Sequence, residues 1–289
     1  MTLELTCLIL TYNEEKNIRR CLQSLAGWTK EMFIIDSFST DKTLKIAREF
    51  TDKIFQRPFK FHTEQLSWAF KNLPFTSQWC LVLDADQSVP EPLKEEISSI
   101  FSKGMPDEVN GYYINRRQFF QGRWIRFGGY YPKYMLKLFK LKEVFTDEKE
   151  LVDNRFYVNG KKQRLKHDFI EDNKNEDDIV FWLEKHLKYI RLKAKEIVVY
   201  RQKKGSWLIR SSLFGDPTQR VFWMTDIYYS LPLYIRPFLH FIWRYFILLG
   251  FLDGPQGFFL HFLQGFWYRL MIDLEVSYLK HQRSSKEEG

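Results

Sequence analysis

The chain has 289 residues, 45% hydrophobic and 18% aromatic, enough to enclose an α/β core with further material beyond it. Its 44 Lys and Arg against 36 Asp and Glu leave a net +8, which favours anionic partners without choosing among phosphorylated substrates, nucleic acid and a membrane surface. Cys7, Cys21 and Cys80 are odd in number and widely scattered, which argues against a disulfide frame or a zinc site. They are expected as reduced core thiols, and with no basic n-region in the first ten residues no export signal is expected.

Residues 5–10 form an apolar run suited to a buried strand, and Ile18, Cys21, Leu22 and Leu25 then recur at helical spacing before Gly27 offers a C-cap. A second strand over 33–35 ends at Asp36, and Asp41 can cap a helix carrying Leu44, Ala47 and Phe50. A short strand over 53–56 leads to a helix from about 63 to 73, and residues 79–83 make a fourth strand closing in Asp84-Ala85-Asp86. Asp86 also lies where it could cap a helix opening at Pro90 and Pro92. Such alternation predicts right-handed crossovers and an α/β fold with a mostly parallel sheet.

Neither a G-x-G-x-x-G nor a P-loop pattern follows the first strand, so the dinucleotide and P-loop classes lack their phosphate cradle. Polar residues converge instead at three strand ends: Thr11-Tyr12-Asn13-Glu14-Glu15, Asp36-Ser37-Phe38-Ser39-Thr40-Asp41 and Asp84-Ala85-Asp86. On an extended strand, residues i and i+2 face the same side, so Asp84 and Asp86 can share one hard cation, Mg²⁺ or Mn²⁺, at the carboxyl edge of the sheet. Taken alone, the same triplet is also an ordinary strand end and turn.

These motifs in this order resemble the inverting family 2 glycosyltransferases of GT-A fold. With Gly128-Gly129-Tyr130-Tyr131-Pro132, Lys137-Leu138-Phe139 and Gly250-Phe251-Leu252-Asp253-Gly254, the chain looks like the bacterial branch that includes lipopolysaccharide core glycosyltransferases. The resemblance implies that Thr11, Tyr12, Asn13 and Glu14 line the nucleoside pocket, that Asp36 contacts the base, and that Ser67 and Ala85 belong to the nucleotide-sugar site. It implies that Asp84 faces the ribose or sugar and that Asp86 ligates the metal. Counting back from Gly160, the branch's His-Glu pair falls at Asp153 and Asn154, which makes Asp153 the expected catalytic base, Glu150 the reserve, and Glu171 or Asp172 a third possibility. Lys185 and Tyr189, one turn apart in a segment like the branch's K-H-x-x-Y element, are expected to close on the diphosphate with Lys185 or His186 supplying charge; His167 is a weaker third metal ligand. The chain departs from the branch at Phe38, usually Gly, at Ser67, often Asn, and at Gln87, usually Glu, which leaves the sugar donor open.

The C-terminal third differs in composition, with 17 aromatics in the 47 residues 222–268, threaded by Arg236, Arg244 and Arg269. Its longest uncharged stretch, 254–268, is too short and too broken for a spanning helix, whereas interleaved aromatic and basic residues suit helices lying at headgroup level. Arg201, Lys203, Lys204 and Arg210, with no acid between them, add attraction to anionic lipid. The expected organisation is a catalytic domain over 1–200, a helical membrane-associating extension over 201–280 and a polar tail. The expected partners are a UDP-sugar donor, a lipid-linked saccharide acceptor and the cytoplasmic membrane surface, with no nucleic acid. Two alternatives stay open: a polyprenyl-phosphate acceptor, and a retired domain that scaffolds partners at the membrane.

Overall fold

Strand β1 (Leu3–Thr11) is buried along almost its whole length, the condition of a central strand covered on both faces. The computed structural model describes residues 2–147, 149–152, 155–198 and 209–287, which divide into two compact units.

The first unit comprises Met1–Gly122, Pro132–Thr146 and Asn154–Asp177. Its strands after β1 are β2 (Thr29–Asp36), β3 (Ile54–Gln56), β4 (Trp79–Asp84), β5 (Gln87–Ser88), β6 (Val109–Phe120), β8 (Tyr134–Lys140), β9 (Val144–Phe145), β10 (Tyr157–Val158) and β11 (Lys161–Asp172); the two-residue β7 (Arg123–Trp124) falls in the second unit. The main sheet runs β3-β2-β1-β4-β8-β6-β11-β5, parallel through its first four strands and mixed beyond β4, where β8 runs antiparallel to both neighbours.

Alternation along the strands sorts the core into two layers. Leu5, Cys7 and Ile9 of β1, Ile34 of β2, and Leu81 and Leu83 of β4 meet α1 (Ile18–Leu25) and α4 (Glu91–Ser102). Leu8, Leu10, Phe33, Ile35, Cys80 and Val82 meet α3 (His62–Asn72) on the other face. Each such aliphatic side chain taken from water contributes about 1.5–3 kcal/mol. Helix α1 buries the four residues whose spacing predicts it, and Gly27 follows in the left-handed region at φ +71°. Helix α2 (Thr43–Ala47) is shorter than its pattern predicts. Past Ala47 the chain tightens into i→i−3 bonds, Glu49 N–H to Ile46 and Phe50 N–H to Ala47, yet Phe50 still packs on the core.

The second unit comprises Arg123–Tyr131, Asp147–Asp153 and Asp178–Gly289. It contains α5 (Ile179–Glu196), α6 (Pro217–Ser230), α7 (Ile235–Ile242), α8 (Gly254–Leu260) and α9 (Tyr268–Glu287), with π-helical turns at Trp243–Ile247 and His261–Trp267. The division by contact falls before α5, whose Ile190 and Ala194 share a buried cluster with Ile272 and Val276 of α9. The basic residues Arg201, Lys203 and Lys204 lie outside the described residues.

Two motifs more than a hundred residues apart interlock within this unit. The Asp253 carboxylate accepts the backbone N–H groups of Arg126 (3.0 Å) and Phe127 (2.8 Å), Gly128 N–H donates to the Leu248 carbonyl at 2.8 Å, and Arg244 donates to the Gly128 carbonyl. The His261 ring lies so close to Gly128 and Gly250 that a Cβ on either would meet it at 1.9 Å and 2.4 Å. The Gly-Gly-Tyr-Tyr-Pro and Gly-Phe-Leu-Asp-Gly segments thus form a single structural lock.

Candidate active site

The chain winds outward from β1 through β2 to β3 and returns to the far side of β1 for β4, so the order of winding reverses between β1 and β4. Open α/β sheets bind ligands outside the carboxyl ends of their strands at such a point. Strand register brings the three polar segments to one edge: Leu10 pairs with Asp84, Thr11 with Asp36, and Asp36 with Gln56.

The first two segments are tied together. Asn13, at a left-handed φ of +52°, donates its N–H to Ser39 Oγ (2.9 Å) and accepts from Thr40 N–H (2.8 Å). Glu15 N–H donates to Asp41 at 3.1 Å, and Lys42 N–H donates back to Glu15 at 3.0 Å. Glu14 N–H donates to Thr43 Oγ1 at 2.8 Å, and its carboxylate accepts from Asn17 (2.6 Å) and Asn175 (3.2 Å). Thr11 is enclosed, while Tyr12 is exposed. Asp36 is enclosed as well: its carboxylate accepts from Ser39 N–H (2.9 Å), the Ser39 hydroxyl and the Gln56 amide (3.0 Å), which anchors the loop to β3. On α3, Gln65 donates to Ser37 Oγ at 2.8 Å, and Ser67 stands partly exposed two residues on.

The acidic pair is placed differently from the strand-based expectation. Asp84 is the last residue of β4, and Ala85 and Asp86 form a turn before β5, so strand alternation does not align the two carboxylates. Hydrogen bonds position Asp86 instead. Its carbonyl accepts from Arg20 and from Asp172 N–H, both at 3.1 Å, and its Oδ2 accepts from Asn173 at 3.0 Å. Nor does Asp86 cap α4, whose N-cap is Pro90.

Asp84 Oδ2 accepts from Gln87 at 2.8 Å and pairs at 3.3 Å with Lys137 of β8, a fully enclosed lysine lying near the Phe156 and Phe169 rings. Gln87 donates equally, at 2.8 Å, to Glu171 of β11, which Arg116 engages at 2.7 Å, while Arg20 and Asp172 pair at 3.4 Å. The acidic edge is therefore matched by Lys137, Arg116 and Arg20. Sequence reasoning assigned none of these three a role, nor Asn173. The one available signal was a lysine inside an apolar strand, Lys137 beside Leu138 and Phe139.

Among the described residues no group of three or more His, Cys, Asp or Glu side chains could hold a metal ion by itself. Two partly exposed carboxylates, Asp84 and Asp86, nevertheless supply the hard oxygen donors that Mg²⁺ or Mn²⁺ takes when a substrate's phosphates complete its shell. The donor set fits a cation shared with a diphosphate.

The remaining expected residues come from other parts of the sequence. Asp153, together with Asn154, lies outside the described residues. Glu150 belongs to the second unit, where its side chain is enclosed beside Leu151, whose N–H donates to Glu196 at 3.2 Å. Lys185 and Tyr189 are partly exposed on α5 of that unit. His186 does not present charge to solvent: it is buried, stacked on Trp182 with ring centroids 3.5 Å apart, and its Nδ1–H donates to the Trp182 carbonyl at 2.8 Å. His167 is engaged by Glu96 of α4 at 3.0 Å, which fixes its ring against that helix.

A sheet of this order, with an acidic pair at its switch point and helices on both faces, defines a GT-A nucleotide-sugar transferase domain followed by a helical region. Residues 6–157 match the model of Glycosyl transferase family 2, and the chain belongs to that family. It is 30% identical over 119 residues to the uncharacterized glycosyltransferase RT0209 of Rickettsia typhi, covering 41% of this chain and 40% of that protein. Over 99 residues it is 31% identical to the SPbeta prophage-derived glycosyltransferase SunS of Bacillus subtilis, covering 33% of this chain and 23% of that one. The matches thus span less than half the length of these relatives. Among solved structures, Staphylococcus aureus TarS 1–349 in complex with UDP aligns over 97% of this chain and 91% of its own at 15% identity and a TM-score of 0.47. Mycobacterium tuberculosis glucosyl-3-phosphoglycerate synthase with Mg²⁺ and UDP aligns over 42% of this chain and 44% of its own, at 18% identity and a TM-score of 0.31.

Proposed function

We propose that this glycosyltransferase moves a sugar, with inversion, from a UDP-sugar to a lipid-linked saccharide at the cytoplasmic face of the membrane. Its product would feed a bacterial lipopolysaccharide or another surface polysaccharide. The observation that carries the donor half is the convergence of Thr11, Asp36 and Asp84 at the reversal point of the sheet, with Asp86 held beside them by Asn173 and Arg20. The acceptor half rests on the resemblance to the lipopolysaccharide core branch and on the aromatic, basic C-terminal third.

In this reading the Thr11 to Glu14 loop and the Asp36 loop hold the nucleoside, and Asp84 and Asp86 hold a divalent cation on the diphosphate. When bound, that cation supplies Lewis-acid stabilisation of the charge growing on the leaving group. Asp153 takes the acceptor hydroxyl's proton. The acceptor oxygen then bonds to the anomeric carbon as the bond to the diphosphate oxygen breaks, and the nucleoside diphosphate departs with the electron pair. Lys185 and Tyr189 steady the diphosphate.

Calorimetry with UDP and Mn²⁺ tests the donor site. Binding that needs the metal, and that Asp86→Ala removes while the fold persists, supports the reading; no metal-dependent binding by the wild type favours a retired domain. Asp153→Asn should keep donor binding and lose transfer by about 10²–10⁴-fold, the usual contribution of a general base.

A further inference from the structure

One stretch of the second unit, residues 235–262, is built inside out, unlike α5 and α9, which bury apolar residues against each other. Between residues 235 and 273 the polar groups turn inward: Arg236 is 3% exposed, Asp253 2%, and His261 and Asp273 not at all. Many large apolar side chains turn outward, with Trp243, Phe246, Ile247, Phe251, Leu252 and Phe259 each 44–58% exposed. Water-soluble packing does the reverse, and an apolar patch this continuous marks an interaction surface.

Apart from Arg269 Nε, which is buried without a hydrogen-bond partner, the charges inside this segment are engaged internally, as hydrocarbon surroundings demand. Arg236 donates to both carboxylate oxygens of Asp273, with Nε at 2.9 and 3.0 Å. Asp253 accepts the two backbone N–H groups already described, Arg244 lies 4.0 Å over the Tyr130 ring, and Arg269 lies 4.7 Å over Tyr228. No acidic residue occurs between Asp226 and Asp253, so nothing there repels an anionic headgroup layer.

No single helix among the described residues is long and apolar enough to cross a membrane, but the segments Ile235–Ile247 and Gly250–Arg283 together form an apolar pair bent by 70°. The bend falls at Leu249, whose backbone is left-handed at φ +59°. Thirteen residues of helix reach about 20 Å, whereas a hydrocarbon core is about 30 Å thick. The first limb can therefore enter one leaflet and must then turn. The last described turns of α9 carry exposed Lys280, His281 and Arg283, side chains suited to the headgroup level.

We infer that the bent pair is a re-entrant hairpin that embeds residues 242–262 in the acyl layer of one phospholipid leaflet and leaves by the face it entered. This deepens the membrane reading above, replacing helices that lie on the headgroups by a hairpin that passes beneath them. The acceptor lipid would then meet the protein in the plane of its own leaflet.

The native thiols are enclosed, so a single introduced cysteine can carry an environment-sensitive fluorophore. Full-length Phe246→Cys and Gln282→Cys proteins, labelled and mixed with vesicles of phosphatidylethanolamine and phosphatidylglycerol, report depth. The label at 246 should shift to the blue, be quenched by brominated acyl chains and stay with the vesicles in high salt, while the label at 282 should be quenched by aqueous iodide. A label at 246 quenched by iodide and stripped by salt would overturn insertion. Access of a lumenal, membrane-impermeant thiol reagent to Phe259→Cys would overturn the one-leaflet geometry. Phe246→Glu combined with Ile247→Glu should abolish vesicle retention while leaving the Mn²⁺-dependent UDP heat unchanged; undiminished retention would count against the hairpin. Insertion without any nucleotide binding would uphold the hairpin and discard the transferase reading alone.

Discussion

Gln87 and Asp84 hold each other twice: the Asp84 N–H donates to the Gln87 side-chain oxygen at 3.1 Å, and the Gln87 amide donates to the Asp84 carboxylate at 2.8 Å. The same amide nitrogen reaches Glu171 at 2.8 Å, so one neutral donor separates two acids. Gln87→Glu keeps the acceptor and loses the donor, placing a third carboxylate between the other two. Hydrogen bonds to charged groups contribute about 1.5–3 kcal/mol each, and like-charge contact adds to their loss. The variant should lower the denaturant midpoint by an amount equivalent to at least about 1.5 kcal/mol. Adding Glu171→Gln should recover most of it, a coupling readable in a double-mutant cycle.

Phe38 sits in the left-handed region at φ +62°, half exposed, in the loop anchored by Asp36. A residue with a Cβ is strained there by about 1–2 kcal/mol, the physical reason why glycine suits this position. Phe38→Gly should therefore raise stability or leave it unchanged despite the added chain entropy. If the aromatic ring touches the nucleobase, the same variant should weaken UDP binding in calorimetry, separating a cost in strain from a gain in recognition.

Glu31 of β2 accepts from Lys53, the Thr6 hydroxyl and Thr76 N–H. Burial alone would raise its carboxyl, but these partners outweigh burial and bring it from the ordinary 4.5 to about 2. The folded value lies below the unfolded one, so the stabilisation is present in full above about pH 4.5 and is lost as pH falls towards 2. Urea midpoints measured across that window should show Glu31→Gln less stable than wild type near neutrality, with the gap closing as the solution is acidified.

Gly128→Ala would put a methyl group 1.9 Å from His261 at a left-handed φ of +64°. The lock formed with Asp253 should then open. Hydrogen exchange should accelerate in α7 and α8 and remain slow in β1 and β4. His261→Ala in the same chain should restore part of the protection by removing the ring that collides.

The parallel half of the sheet was legible because its strands are buried on both faces and its helices bury the very residues that recur at helical spacing, as Ile18, Cys21, Leu22 and Leu25 do. The loops at Thr11 and Asp36 were legible for a related reason: short polar runs after apolar strands have few places to go. What stayed hidden depends on long-range partners. Asn173 reaches Asp86 from 87 residues away, and Lys137 reaches Asp84 from a strand whose antiparallel entry no local pattern announces. The turn at Ala85 stood only as an alternative, because an i, i+2 pair says nothing about where the strand stops. The inverted burial of the C-terminal helices was half legible: composition showed the aromatics, but only coordinates show that Arg236 and Asp273 face inward while Phe246 faces out.

The reciprocal bonds between the Asn13 and Ser39 loops carry a dynamic consequence. Neither loop can swing outward without releasing the other, so the two loops at the carboxyl edge of the sheet behave as one hinged body rather than two independent flaps. Loop motion measured at Tyr12 and at Phe38 should accordingly follow a single relaxation rate.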